Sequence, residues 1–266
     1  MTSSFVLNYK YKNTILTTEL PHVAGYVRFV YESKKYQHWV DSLDETQVEL
    51  RKYTLTGIPT FADKPSPEKL LFFTGTAEVY DKTMFSTRII SNVSMNRGGS
   101  CACLVIVEVL ELGKRFVALT EQMRWITGGR RIEVVAGMKN EATNELEGPI
   151  IQELKEEMGI EISLDDPMMR PLGKPFWTSQ GLLDEKIDPW VLEIDVTKEK
   201  YEEMLTNIYG IEKEGENIRI KFFEFNVLEN ILSEIGDAKL EVLFSRYMRE
   251  SRINNTKNTC WNQTAI

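Results

Sequence analysis

Histidine and cysteine are scarce in this chain. There are two histidines, His22 and His38, well separated, and three cysteines, Cys101, Cys103 and Cys260, none in a paired C-x-x-C spacing. Histidine-built metal centres, a histidine-dependent triad and a zinc ribbon are therefore poor readings. Cys101-Ala-Cys103 instead reads as one face of a strand. An excess of positive charge is also missing: 32 Lys and Arg stand against 40 Asp and Glu, a net charge of −8. That balance argues against nucleic acid or an anionic membrane as the main partner. No apolar run approaches the roughly 18 residues that would span a bilayer. The first residues, MTSSFVLNYKYKNT, have neither a signal-peptide apolar stretch nor an arginine-rich transit character. The expectation is a cytoplasmic location.

What is present is ample material for a core. Hydrophobic residues make up 42% of the 266 positions, a length beyond one average domain and short of two. Strand-like pieces occur at Ala24–Val30 and Lys69–Phe73, a helical stretch spans Tyr36 to Leu43, and the proline-rich run Gly57–Pro67 reads as a loop. Asn96–Ser100 is the natural boundary. Beyond it, Ala102–Val109 and Phe116–Thr120 form a hairpin pattern, Arg131–Val135 a short strand, and Trp190–Ile194 and Ile218–Phe225 further strands. A helical run from Val227 to Arg249 precedes a polar tail. The expected division is a mainly β domain over 1–97, an α/β domain over 98–250 and a flexible tail over 251–266. Strands alternating with two helices that cover a mixed sheet give an α/β/α sandwich.

The chemistry-bearing feature lies between Ala136 and Ile160. Glu153, Glu156 and Glu157 stand just ahead of Gly159, and on a helix they fall within an arc of roughly 100°. Like charges at this spacing repel unless something cationic neutralises them. A hard divalent ion held by carboxylates suits that role. Ile150, Ile151, Leu154 and Met158 form a separate apolar stripe that would dock the helix, and Gly159 supplies a left-handed stop.

This strand, loop and helix resembles the Nudix box, G-x5-E-x7-R-E-U-x-E-E-x-G-U with U aliphatic. Glu153, Leu154, Glu156, Glu157, Gly159 and Ile160 sit where that pattern wants them. Gln152 replaces the box arginine, and the interval from Gly137 to Gln152 is one residue too long. Asn144 falls at the position of the first box glutamate, with Glu145 beside it, so either an Asn144–Gln152 amide pair or Glu145 would brace the loop.

Outside the box, Glu121-Gln-Met-Arg124, Glu133-Val-Val-Ala-Gly137, Ser179–Glu185 and Glu214–Arg219 are similar to stretches of the nucleoside-diphosphate-sugar branch of the family, the ADP-ribose and ADP-sugar diphosphatases. The resemblance implies the Nudix α/β/α sandwich, a small N-terminal β domain and a homodimer. It implies hydrolysis of the diphosphate bond of ADP-ribose or ADP-glucose with Mg²⁺, Mn²⁺ being possible, or alternatively UDP-sugar cleavage or ADP-ribose binding without hydrolysis. The metal would be held by Glu153, Glu156, Glu157 and the Ala136 carbonyl. Arg124, Glu133 and Trp125 would meet substrate, and Glu185 or Glu216 would be the general base.

Overall fold

The structure, a computed structural model, describes residues 8–62, 64–139, 148–211 and 217–262, and within them every side chain except those of 88–93, 125, 148–149 and 253–262. The chain divides into two compact units. One holds the described residues up to Gly99 together with Trp177–Lys186; the other holds Ser100–Lys139, the described part of Leu146–Phe176, and the chain from Ile187 onward.

The first unit contains β1 (Tyr9–Tyr11), β2 (Thr14–Thr18), α1 (Val27–Glu32), α2 (Lys34–Asp41), β3 (Val48–Leu55), β4 (Thr60–Phe61), β5 (Leu70–Asp81) and β6 (Ser86–Asn96). Its sheet runs β1-β2-β3-β5-β4, with β6 also on β5. The β2–β3 pair is parallel. Leu16, Val27, Val30, Tyr36, Tyr53 and Phe73 share its core.

Ala24–Val30, expected as a strand, is a 3₁₀ turn at Ala24–Tyr26 followed by α1. Val23, Val27 and Val30 are wholly buried, and their spacing makes one helical stripe, so burial on the sheet overrides the β preference of the side chains. α2 begins where Ser33 Oγ accepts the Tyr36 N–H at 3.2 Å, an N-cap that closes the first turn. The loop at Gly57–Pro67 includes the two-residue strand β4.

The second unit contains β7 (Ser100–Val109), β8 (Lys114–Arg124), β9 (Gly129–Glu133), β10 (Val135–Met138), α3 (Gly148–Met158), β11 (Met169–Pro171), β12 (Phe176–Trp177), β13 (Lys186–Val196), α4 (Lys198–Thr206), β14 (Arg219–Glu224), α5 (Phe225–Ile235) and α6 (Ala238–Asn262). Its sheet runs β11-β13-β7-β8-β14, with β10 on β7, β9 on β8 and β12 on β13. β13 lies parallel to β7 from Ile187 opposite Ser100 to Val196 opposite Val109; the β7–β8 hairpin is antiparallel. The sheet is therefore mixed.

β7 explains why its sequence is a continuous apolar run. Cys101, Cys103, Val105, Val107 and Val109 join the core that contains Ile150, Leu154 and Met158 of α3 and Met204 of α4. Ala102, Leu104 and Ile106 join the core of Leu228 from α5 and Leu240, Leu243 and Phe244 from α6. Successive side chains go to opposite faces and both faces are covered, which is the α/β/α sandwich.

Two elements differ from the expected pattern. The single strand at Arg131–Val135 is two strands broken at Val134, whose N–H is donated to Asp237 Oδ2 at 3.0 Å. β9 pairs with β8 and β10 with β7, so the chain changes partner there. The helical run from Val227 to Arg249 is likewise two helices. Gly236 at φ +70° ends α5, and the Asp237 carboxylate accepts the Lys239 N–H at 3.1 Å to start α6. α6 then continues past Arg249 to Asn262.

Candidate active site

Helix α3 is seated by Ile150, Leu154 and Met158, all wholly buried against the sheet. Its end is closed by Gly159 at φ +65°. The Gly159 N–H is donated to Lys155 O at 3.0 Å and the Ile160 N–H to Leu154 O at 3.1 Å, which satisfies carbonyls that a helix end leaves without partners. The Gly210 N–H reaches Glu156 O at 2.9 Å, and a Cβ at Gly159 would come within 2.7 Å of the Tyr209 ring. The segment after α4 thus fastens the last turn of α3.

The three helix carboxylates point to different neighbours. Glu153 lies against β10: a Cβ on Gly137 would stand 1.9 Å from Glu153 Oε1 and 2.4 Å from its Cγ. Gly137 leaves a cradle that only the absence of a side chain can provide. One turn on, Glu157 is 5% exposed, and Gln122 Nε2 donates to its Oε1 at 3.5 Å. Glu156 faces outward and accepts from Gln152 Nε2 at 2.8 Å. Among the described residues no three His, Cys, Asp or Glu side chains enclose a common metal position. Glu156 is turned along the helix towards Gln152 in this conformation. Glu153, cradled on Gly137 of β10, and Glu157, buried one turn on, offer oxygen donors of the kind matched to hard divalent cations.

Cys101 lies beneath this group. Its thiol donates to Gly137 O at 3.6 Å. Burial pushes it up to about 11; the Gly137 hydrogen bond pulls down, nearby Glu153 adds to the rise, and Lys139 opposes it. Burial raises the Cys103 thiol further still. Both are protonated structural thiols and not nucleophiles. As the sequence indicated, they share one face of a strand. Lys139, the cation that opposes the rise of the Cys101 thiol, forms an ion pair with Asp188.

Arg124 and Glu133, both expected to meet substrate, meet each other. Nε is 2.7 Å from Oε1 and Nη2 is 3.0 Å from Oε2, a bidentate pair. Glu133 is 13% exposed, and Lys239 approaches it at 3.4 Å. Burial alone would raise the Glu133 carboxyl, but the hydrogen bond from Arg124 and the charges of Lys239 and Arg124 outweigh it and hold the group below the usual carboxylate range. Trp125 opens a 3₁₀ turn, Trp125–Thr127; its side chain lies outside the described set.

Glu185 belongs to the first unit, where its carboxylate is 3.6 Å from Arg97 Nε and 12% exposed. Its neighbour Asp184 accepts the backbone N–H of Arg97 at 2.7 Å and of Gly98 at 3.1 Å. Glu216, Asn144 and Glu145 fall outside the described residues, and with them the expected Asn144–Gln152 brace.

Gln122, part of the Glu121-Gln-Met-Arg124 stretch but given no role of its own from sequence, is 8% exposed. The signal was there: Gln122 continues the inward register of Phe116, Ala118 and Thr120.

No protein-family model matches the chain. A curated relative, Nudix hydrolase 14, chloroplastic, of Arabidopsis thaliana, is 23% identical over 238 residues, which is 85% of this chain and 73% of the relative. Among solved structures, an ADP compounds hydrolase shares 12% identity, covering 78% of this chain and 97% of its own, with a TM-score of 0.44. Through that curated relative, and through a helix on which Glu153, Leu154, Glu156, Glu157, Gly159 and Ile160 fill the family's pattern, the chain is related to the Nudix hydrolases.

Proposed function

We propose that the protein is a Mg²⁺-dependent pyrophosphatase that splits the diphosphate bond of a nucleoside diphosphate sugar, ADP-ribose or ADP-glucose, into AMP and sugar phosphate. The observation that carries this reading is the seat of Glu153 on Gly137 with the buried Glu157 one turn away. That arrangement seats one oxygen-donor side chain against β10 and a second beside Gln122 of β8. The Ala136 carbonyl, Glu153, Glu157 and, after turning from Gln152, Glu156 would hold the ion. Bound Mg²⁺, or Mn²⁺ in its place, would neutralise the diphosphate oxygens and ready a water for attack.

The protein's own groups do the rest. Glu133 grips one edge of the Arg124 guanidinium and so fixes the plane in which that cation meets a diphosphate. Trp125 offers a ring for the nucleobase. Glu185 and Glu216 are the two carboxylates proposed as general base; replacing each with glutamine separates them, since the base should lose turnover with little change in substrate binding. A homodimer is part of the same reading.

Gln152 in the place of the box arginine, with its amide on Glu156, favours a second reading, a protein that binds ADP-ribose without cleaving it. One assay divides them. The protein is incubated with ADP-ribose, ADP-glucose, UDP-glucose, NADH and diadenosine polyphosphates, with Mg²⁺ or with a chelator, and the products are identified. AMP and sugar phosphate released only with metal supports the hydrolase. Intact substrates with saturable ADP-ribose binding support the second reading, and neither cleavage nor binding would end both. Release of UMP from UDP-glucose alone would move the specificity to UDP-sugars.

A further inference from the structure

We infer that Gln122 is the positioning residue of the carboxylate Glu157, a neutral donor that aims a buried anion at the cation site without cancelling its charge; the inference rests on the metal-site reading above. Phe116 and Ala118 of β8 belong to the core on the α3 side, and period-two alternation sends Gln122 to that face as well. It is 8% exposed and Glu157 5%, with Nε2 to Oε1 at 3.5 Å. A buried carboxylate needs hydrogen-bond donors. Lysine or arginine at this position would donate too, but its charge would close an ion pair with Glu157 and hold the carboxylate against a metal. Leucine would fill the space and donate nothing. The amide satisfies both requirements, and its flat carboxamide restricts the plane of the carboxylate, as partners behind metal ligands commonly do.

The test is direct Mn²⁺ binding to the substrate-free protein, measured by electron paramagnetic resonance, for wild type, Gln122→Leu, Glu157→Gln and the double variant. Gln122→Leu should weaken the dissociation constant by about 10- to 100-fold, and in the Glu157→Gln background it should add nothing, because its action runs through that carboxylate. Melting temperatures in chelator report folding separately. Should the leucine variant fail to fold, Gln122→Met, which keeps the reach of the side chain without the donor, takes its place. Unchanged Mn²⁺ affinity, or effects that multiply in the double variant, overturns the positioning role while leaving the metal site intact. A wild type that binds no Mn²⁺ overturns the metal-site reading and this inference with it.

Discussion

Gly137 is required for space, not for backbone freedom: its φ is not among the positive values, yet any side chain there would overlap the Glu153 carboxylate. In Gly137→Ala the flexible glutamate should swing aside and the fold should persist. Displacing a reacting group by about 1 Å can cost on the order of 10²-fold, so kcat/KM should fall by that order while thermal melts in chelator change little; wild-type kinetics would show that the cradle is irrelevant. A second expectation concerns Glu133. Its folded pKa lies below its unfolded value near 4.5. The stability it contributes is thus fully present above that value and is lost as pH falls through the lower folded one. Thermal melts across this acid window should show wild type losing more stability than Glu133→Gln; equal losses would deny the linkage. At this scale the sequence displayed the carboxylates, because one helix carries them all. It did not display what they touch. Gln122 is 35 positions from Glu157, and only the pairing of strands with a helix brings them together.

At the scale of elements, Gly159 ends α3 in the left-handed region and has the Tyr209 ring against it. Gly159→Ala should cost roughly 1–2 kcal/mol for the backbone, with the ring collision added. Denaturant unfolding measures this; a loss of only about 1–2 kcal/mol would mean that Tyr209 yields freely, and one below about 0.5 kcal/mol would overturn the backbone argument. The β7–β8 hairpin and α3 were legible because each has a strong pattern and a local stop signal, Gly113 for one and Gly159 for the other. α1 was not. Its valines have strand preferences, and only the sheet they bury against selects the helix. The break at Val134 was also hidden, since it depends on Asp237, 103 positions away. Gly236-Asp237 between α5 and α6, by contrast, is a local stop and cap that the sequence carried and that went unread.

For the molecule as a whole, a ligand that binds only the folded state adds stability by mass action, about 2.7 kcal/mol at a hundred times its dissociation constant. At roughly 2–4 °C per kcal/mol for chains near this size, saturating Mg²⁺ with a non-hydrolysable ADP-ribose analogue should raise Tm by about 5–10 °C. An unchanged Tm would speak against any built site. The layered architecture was legible as a class from alternating strands and helices, whereas the allotment of helices to faces was not, because a doubly covered strand like β7 has no polar side to betray its orientation. That strand is a party wall between two rooms. Removing one residue from its middle, between Leu104 and Val107, would send every later side chain through to the wrong room. The lodging of α3 and that of α6 would fail together, so the wall ties the seat of Glu153 and Glu157 to the far layer in a single cooperative collapse.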